Sequence, residues 1–121
     1  MNTAIVMLGS NFNADENIDL AKEKLAEYFE IASFSSRIVT DPEGDYPYKF
    51  YNEAVKLFSD ETAKETINIL KQIEKELGRT PESKQTKLIP IDIDLIFWNE
   101  TLIKDNYYRY SFVKKCIDEI K

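Results

Sequence analysis

Ile91-Asp92-Ile93-Asp94-Leu95-Ile96-Phe97 is the stretch on which the fold turns. Apolar and acidic residues alternate with a period of two, which belongs to a strand and not to a helix. Ile91, Ile93 and Leu95 then share one face of a sheet and Asp92 and Asp94 the other, with the two carboxylates about 6–7 Å apart. Aspartate is depleted in strands and like charges on one face repel, so a compensating positive charge is expected nearby. The pair suits a hard cation such as Mg²⁺, which takes one or two carboxylates and fills its other positions with water and phosphate oxygens. A solvated strand face would carry the same spacing.

Upstream, Arg79 to Ile89 is polar, contains Pro81 and reads as a loop carrying Arg79, Lys84 and Lys87. Cations just before a carboxylate pair are what polyphosphate transfer needs, because oxygens that gain charge must be neutralised. An ordinary charged loop is the alternative. Before it, a helix starting near Asp60 or Thr62 turns Ile67, Leu70, Ile73 and Leu77 inward and stops at Gly78. Glu74 lies beside that apolar stripe, and either bends to solvent or reaches a nucleotide or metal at the end of the sheet.

Phe50 to Phe58 and Ile31 to Val39 read as strands, separated by a loop over Thr40–Tyr48 with two prolines and a glycine. Tyr46, Tyr48, Phe50 and Tyr51, followed by Asn52, are dense enough to hold a planar heterocycle, although core packing would use the same residues. Ala4 to Leu8 is a buried strand stopped by Gly9-Ser10-Asn11; the Walker pattern is absent, so this is a turn and not a phosphate loop. Asn13 is positioned to cap a helix whose apolar stripe is Ile18, Ala21, Leu25 and Phe29. Tyr108 to Ile120 reads as a last helix. The order β-α-β-β-α-β-α predicts an α+β, ferredoxin-like βαββαβ fold: an antiparallel sheet with helices packed on one face and a short C-terminal helix.

Composition narrows the chemistry. The 121 residues hold 16 Lys and Arg against 22 Asp and Glu, a net charge of −6, no histidine and one cysteine. An acidic chain lacks the basic face that a nucleic acid demands, so no nucleic-acid partner is expected. The missing histidine removes Ser-His-Asp and Cys-His triads and zinc sites built on imidazole. Cys116 permits no intrachain disulfide; flanking Lys114 and Lys115 would depress its pKa, but an ordinary residue near the C-terminus is the simpler reading. No signal peptide and no apolar run of about 18 residues is present, so neither a membrane partner nor export is expected and the location read is cytoplasmic. Residues 1–121 read as a single domain.

Four stretches in this order resemble the 6-hydroxymethyl-7,8-dihydropterin pyrophosphokinase family (HPPK), over roughly residues 3 to 103. They are Leu8-Gly9-Ser10-Asn11, Phe50-Tyr51-Asn52-Glu53-Ala54-Val55, Ile73-Glu74-Lys75-Glu76-Leu77-Gly78-Arg79 and Asp92-Ile93-Asp94-Leu95-Ile96-Phe97. The resemblance implies pyrophosphoryl transfer from ATP to the hydroxymethyl group of a dihydropterin in folate biosynthesis. It implies two Mg²⁺ held by Asp92 and Asp94, a pterin site with Thr40, Asn52 and Phe112, and nucleotide contacts from Glu74 and Arg109. Arg79 matches the start of the catalytic loop, and Lys84 and Lys87 supply its other cations. A monomer acting on two small molecules is expected. Thr86 and Ile89 stand where the family carries Trp and Arg, Pro81 where it has a second loop Arg, and its Pro-His segment after Ile103 is missing. A pterin- or nucleotide-binding protein with weak or no turnover is therefore the second reading, and a plain ferredoxin-like interaction domain the third.

Overall fold

A computed structural model describes residues 1–42 and 44–121; Glu43, inside the expected first loop, lies outside the described residues. Strand β1 (Asn2–Ser10) leads into helix α1 (Ala14–Tyr28), followed by strands β2 (Glu30–Phe34), β3 (Ile38–Thr40) and β4 (Phe50–Ser59). Helices α2 (Ala63–Glu76) and α3 (Glu82–Thr86) precede strands β5 (Asp92–Trp98) and β6 (Thr101–Leu102), and helices α4 (Asn106–Arg109) and α5 (Ser111–Ile120) end the chain. All pairings are antiparallel, in the order β2-β4-β1-β5-β6, with β3 also on β4. The expected α+β sheet is present.

Alternation along β1 sorts the core into two layers. Ala4, Val6 and Leu8 pack with Ile18, Ala21 and Leu25 of α1 and with Leu70 and Ile73 of α2. Ile5 and Met7 face the opposite way, onto Val113, Cys116 and Ile117 of α5. The main helices therefore share one face, and the C-terminal helix covers the other. Burying a side chain such as Ile117 contributes about 1.5–3 kcal/mol, so α5 is part of the core. Burial also raises the Cys116 thiol, overriding the lysine beside it. Among the described residues, no helix is long and apolar enough to cross a membrane.

Four local expectations are corrected. Ile31–Val39 is two strands, because Ser35 takes its own hydrogen bonds to β4: its N–H donates to Ala54 O at 3.0 Å, and Ala54 N–H to Ser35 Oγ at 2.8 Å. In the same break Arg37 turns onto Glu53 (2.9 Å), Asp15 (2.8 Å) and Asp19 (2.6 Å), fastening α1 to the sheet. Asn13 makes no side-chain cap and sits at φ 43, a left-handed conformation that asparagine tolerates. The loop after Arg79 contains α3, which Pro81 starts with a ready-set φ of −55. The last helix breaks at Tyr110, which is extended (φ −123, ψ 120) and parts α4 from α5.

One irregularity matters for the site. β1 meets β5 through Val6↔Leu95 and Ile5↔Phe97, so Ile96 is an extra residue. Such a bulge bends a strand and increases its twist. Ile96 and Phe97 both enter the α5-side layer as a result.

Candidate active site

Three strands supply the floor of a cleft on the α5 face. Gly9 of β1 lies opposite Asn52 of β4 on one side and Asp92 of β5 on the other. At about 4.8 Å between strands, Asn52 and Asp92 are roughly 10 Å apart across a floor with no side chain between them. A Cβ at Gly9 would stand 3.7 Å from Asn52 Oδ1, so any longer side chain would enter that space. The cleft holds ≈ 340 Å³ and is lined by both aspartates, Thr40, Asn52, the rings of Tyr46, Phe50, Tyr110 and Phe112, and part of the loop before β4.

Asn52 Nδ2 donates to Ile38 O at 3.1 Å and to Thr40 Oγ1 at 3.0 Å. Both amide protons are thereby directed into β3, and Oδ1 is left as the acceptor on the cleft side, with no donor among the described residues. The Thr40 hydroxyl, accepting from Asn52, retains its own proton to donate. This wall offers one acceptor and one donor beside a set of aromatic rings.

Asp92 and Asp94 project from β5 on one face, as period two requires, and two cations compensate them. Arg79 Nη1 donates to Asp92 Oδ1 at 2.7 Å, and Lys104 Nζ to Asp94 Oδ1 at 2.7 Å. Lys104 went unnoticed in the sequence, since only the short β5–β6 hairpin returns it to Asp94. Burial pushes Asp92 up to about 7, the Asp94 charge adding to the rise and Arg79 opposing it. Asp94 is lowered: burial opposes this, but hydrogen bonding to Asp92 and to the Lys104 ammonium outweighs it. A carboxyl that binds its proton more tightly in the fold loses stability for the fold as pH climbs from the unfolded value of 3.8 towards about 7. Asp92→Asn removes that slope, so its Tm relative to the parent is expected to rise by a few degrees between pH 5 and pH 8. Melting curves whose difference stays constant with pH would contradict this.

Glu74 is buried and turned into the sheet. Ile93 N–H donates to its Oε2 at 2.7 Å, Arg79 Nη1 lies at 3.4 Å, and Lys71 Nζ also at 3.4 Å. Its position beside the apolar stripe of α2 aims it at β5, not at solvent.

Lys84 and Lys87 line a second, smaller cleft of ≈ 270 Å³ together with Arg79, and Asp92, Tyr46 and Phe50 wall both clefts. Lys87 has φ 58 and its ammonium lies 3.6 Å from Asp45. Arg109 is exposed, 5.5 Å from the Tyr110 ring, and among the described residues the lining of neither cleft includes it.

Asn11 gives Gly9-Ser10-Asn11 a purpose that spacing could not reveal. Its Nδ2 donates to Lys87 O at 2.8 Å, its Oδ1 accepts from Ile89 N at 2.6 Å, and its N–H donates to Ile89 O at 3.1 Å. The end of β1 thus clamps the end of the cationic segment. Asn11→Ala is expected to cost about 2–3 kcal/mol in urea denaturation, because two side-chain bonds vanish and the buried Ile89 N–H is orphaned. A loss under about 0.5 kcal/mol, the size of an ordinary surface substitution, would disprove the clamp.

A sequence model described as 7,8-dihydro-6-hydroxymethylpterin-pyrophosphokinase (HPPK) matches residues 5–121. No curated protein matches the chain. Among solved structures, Plasmodium falciparum HPPK-DHPS wild type with pteroate is similar at TM-score 0.60 and 16% identity, over 99% of this chain and 36% of that one. The wild type with SDX-DHP gives TM-score 0.56 and 14% identity, over 98% and 33%. The chain spans about a third of the length of those neighbours. At such identity the likeness concerns the fold, but the family match runs over nearly the whole sequence and takes in Gly9, Asn52 and Asp92 of the cleft floor. The chain belongs to the 7,8-dihydro-6-hydroxymethylpterin-pyrophosphokinase family.

Proposed function

We propose that this chain is a pyrophosphokinase that transfers the β,γ-diphosphate of ATP to the hydroxymethyl group of 6-hydroxymethyl-7,8-dihydropterin. The observation that carries the reading is the row Asn52–Gly9–Asp92 across the sheet, an amide and a carboxylate facing one open floor. Asn52 Oδ1 and the Thr40 hydroxyl would bind the polar edge of the heterocycle, and Phe112 with its neighbouring rings its planar faces. The substrate hydroxyl would attack the β-phosphorus, the bond to the α–β bridging oxygen would break, and AMP would leave. Reactions of this kind depend on positioning and charge neutralisation, which tolerate the lack of histidine.

The donor set fits Mg²⁺. Asp92 and Asp94 offer hard oxygens at the cleft, and among the described residues no group of three or more His, Cys, Asp or Glu forms a closed metal cage. Mg²⁺ is ordinarily held in that sparing way, by one or two carboxylates plus substrate phosphates. When bound it would neutralise and orient phosphate oxygens. Arg79, Lys84 and Lys87 would bind those oxygens from the second cleft, whose lining among the described residues does not include Arg109. Glu74 acts through Arg79 and β5.

One observation favours the second reading, a binding protein with little turnover. Arg79 brings the only guanidinium into the second cleft among the described residues, and it is already engaged by Asp92 and Glu74. A lysine is a point charge and gives no bidentate fork. Incubating the protein with ATP, Mg²⁺ and the pterin alcohol tests the two: AMP and the pterin diphosphate ester formed together support the enzyme. Calorimetric binding of the pterin without either product leaves the binding protein.

A further inference from the structure

The carboxylate pair is balanced by two cations that are held very differently. Arg79 Nη1 has three oxygen neighbours: Asp92 Oδ1 at 2.7 Å, Ile91 O at 3.3 Å and Glu74 Oε2 at 3.4 Å. Its side chain is 24% exposed, and the planar guanidinium is caught between two carboxylates and a strand. Lys104 Nζ has Asp94 Oδ1 as its one acceptor among the described residues, and its side chain is 46% exposed. The Asp94 side chain is only 18% exposed, so the ammonium stands on the solvent side of the carboxylate.

The Lys104 backbone, by contrast, is anchored. Ile103 N–H and Lys104 N–H both donate to the carbonyl of Ile96, the bulge residue of β5, at 2.7 Å and 3.4 Å. An ammonium on a four-carbon stem therefore swings about a Cα that stays beside the cleft. We infer that Lys104 is an exchangeable counter-ion: it holds Asp94 while that carboxylate has no metal, yields it to a divalent cation, and then turns onto a phosphate oxygen of the nucleotide. The inference rests on the reading of this cleft as a site for Mg²⁺ and ATP.

Three points support it. An ammonium 2.7 Å from Asp94 Oδ1 lies where a cation bound to that oxygen would sit, and like charges repel in a partly buried site, so the two compete for Asp94. Once displaced, the ammonium remains within a side chain's length of the phosphates that the same cation would recruit. Arg79 cannot serve in this way, because its other acceptors retain it.

Metal alone then displaces Lys104 with no new partner for the ammonium, whereas metal with nucleotide supplies one. The two ligands should strengthen each other's binding by the same factor. The test uses the whole chain, Lys104→Met and Lys104→Arg, with two probes: Mn²⁺ alone, followed by its paramagnetic signal, and Mg²⁺ with α,β-methylene-ATP, followed by calorimetry. Lys104→Met is expected to bind Mn²⁺ alone about fivefold more tightly than the parent, since a competing ion pair is gone. It should bind the Mg²⁺–analogue about tenfold more weakly, while Lys104→Arg stays within about threefold of the parent. A purely structural lysine would shift Tm and would not move the two affinities in opposite directions. Mn²⁺ affinity that is unchanged or weaker in Lys104→Met, or analogue affinity that is unchanged, overturns the inference while leaving the proposed function standing. A parent that binds neither probe overturns both.

Discussion

Asp92→Ala and Asp94→Ala are each expected to lower turnover of ATP and the pterin alcohol by about 10³-fold or more, while the fold survives. The magnitude follows from the role proposed for the pair. Charge stabilisation by a bound cation supplies several kcal/mol, and each 1.36 kcal/mol is about tenfold in rate. Truncating either aspartate halves the donor set; without Asp94 Lys104 loses its one acceptor among the described residues, and without Asp92 Arg79 is left with Glu74 alone as an anionic partner. The fold should hold because relief of two like charges on one strand face offsets part of what is lost. Initial rates at saturating Mg²⁺, taken together with thermal melting, separate the two effects. Variants that keep more than about a tenth of the parent rate would eliminate the metal role of the pair. A collapse in Tm of more than about 10 °C would mean that the aspartates are structural first.

Glu74→Ala is expected to produce the largest stability loss, about 3 kcal/mol or more, for a reason unrelated to ligand contact. Removing the carboxylate orphans the buried Ile93 N–H and takes from Arg79 one of its two anionic partners. Losing one member of a buried charged network commonly costs about 3–5 kcal/mol, and an unsatisfied amide about 1–3 kcal/mol. Glu74→Gln keeps an oxygen for Ile93 and should recover at least half of the loss. The resemblance assigned Glu74 to the nucleotide, and the same variants decide between the roles. If Glu74→Gln is as stable as the parent but binds the ATP analogue poorly, Glu74 is a ligand contact. If stability falls and the residual folded protein binds the analogue normally, it is a brace under β5.

The legibility of the site followed the range of the interactions that build it. Asp92 and Asp94 could be read because a strand's period is local and two residues apart is one face. Asn52 and Thr40 could be placed in one region, yet the hydrogen bond that orients the Asn52 amide depends on β3 pairing with β4, which spacing does not show. Lys104 was invisible because its position follows from the length of a two-residue edge strand and a bulge at Ile96. Glu74 was ambiguous for a related reason: helix periodicity places it at the border of the apolar stripe and is silent on whether water or a strand lies beyond. The division of Ile31–Val39 was hidden in Ser35, whose hydroxyl takes a backbone donor that an unbroken strand would have paired otherwise. Helix α3 was missed because five mostly polar residues carry no hydrophobic period, although proline just before Glu82 was a usable sign of its start.

The cationic segment between α2 and β5 is secured at both ends, by Arg79 against Asp92, Ile91 and Glu74 and by Asn11 against Lys87 and Ile89. Between those points the backbone of α3 is already coiled, with Thr80 N–H bonded to Ser83 Oγ at 3.2 Å. A strap fastened at both ends with a coiled middle keeps few free torsions. Most of the ordering entropy of the run, about 1–2 kcal/mol per residue, is therefore lost on folding and not on meeting a ligand. The places of Lys84 and Lys87 around the cleft they share with Arg79 and Asp92 are thus set by the fold in advance, whatever those side chains later grip.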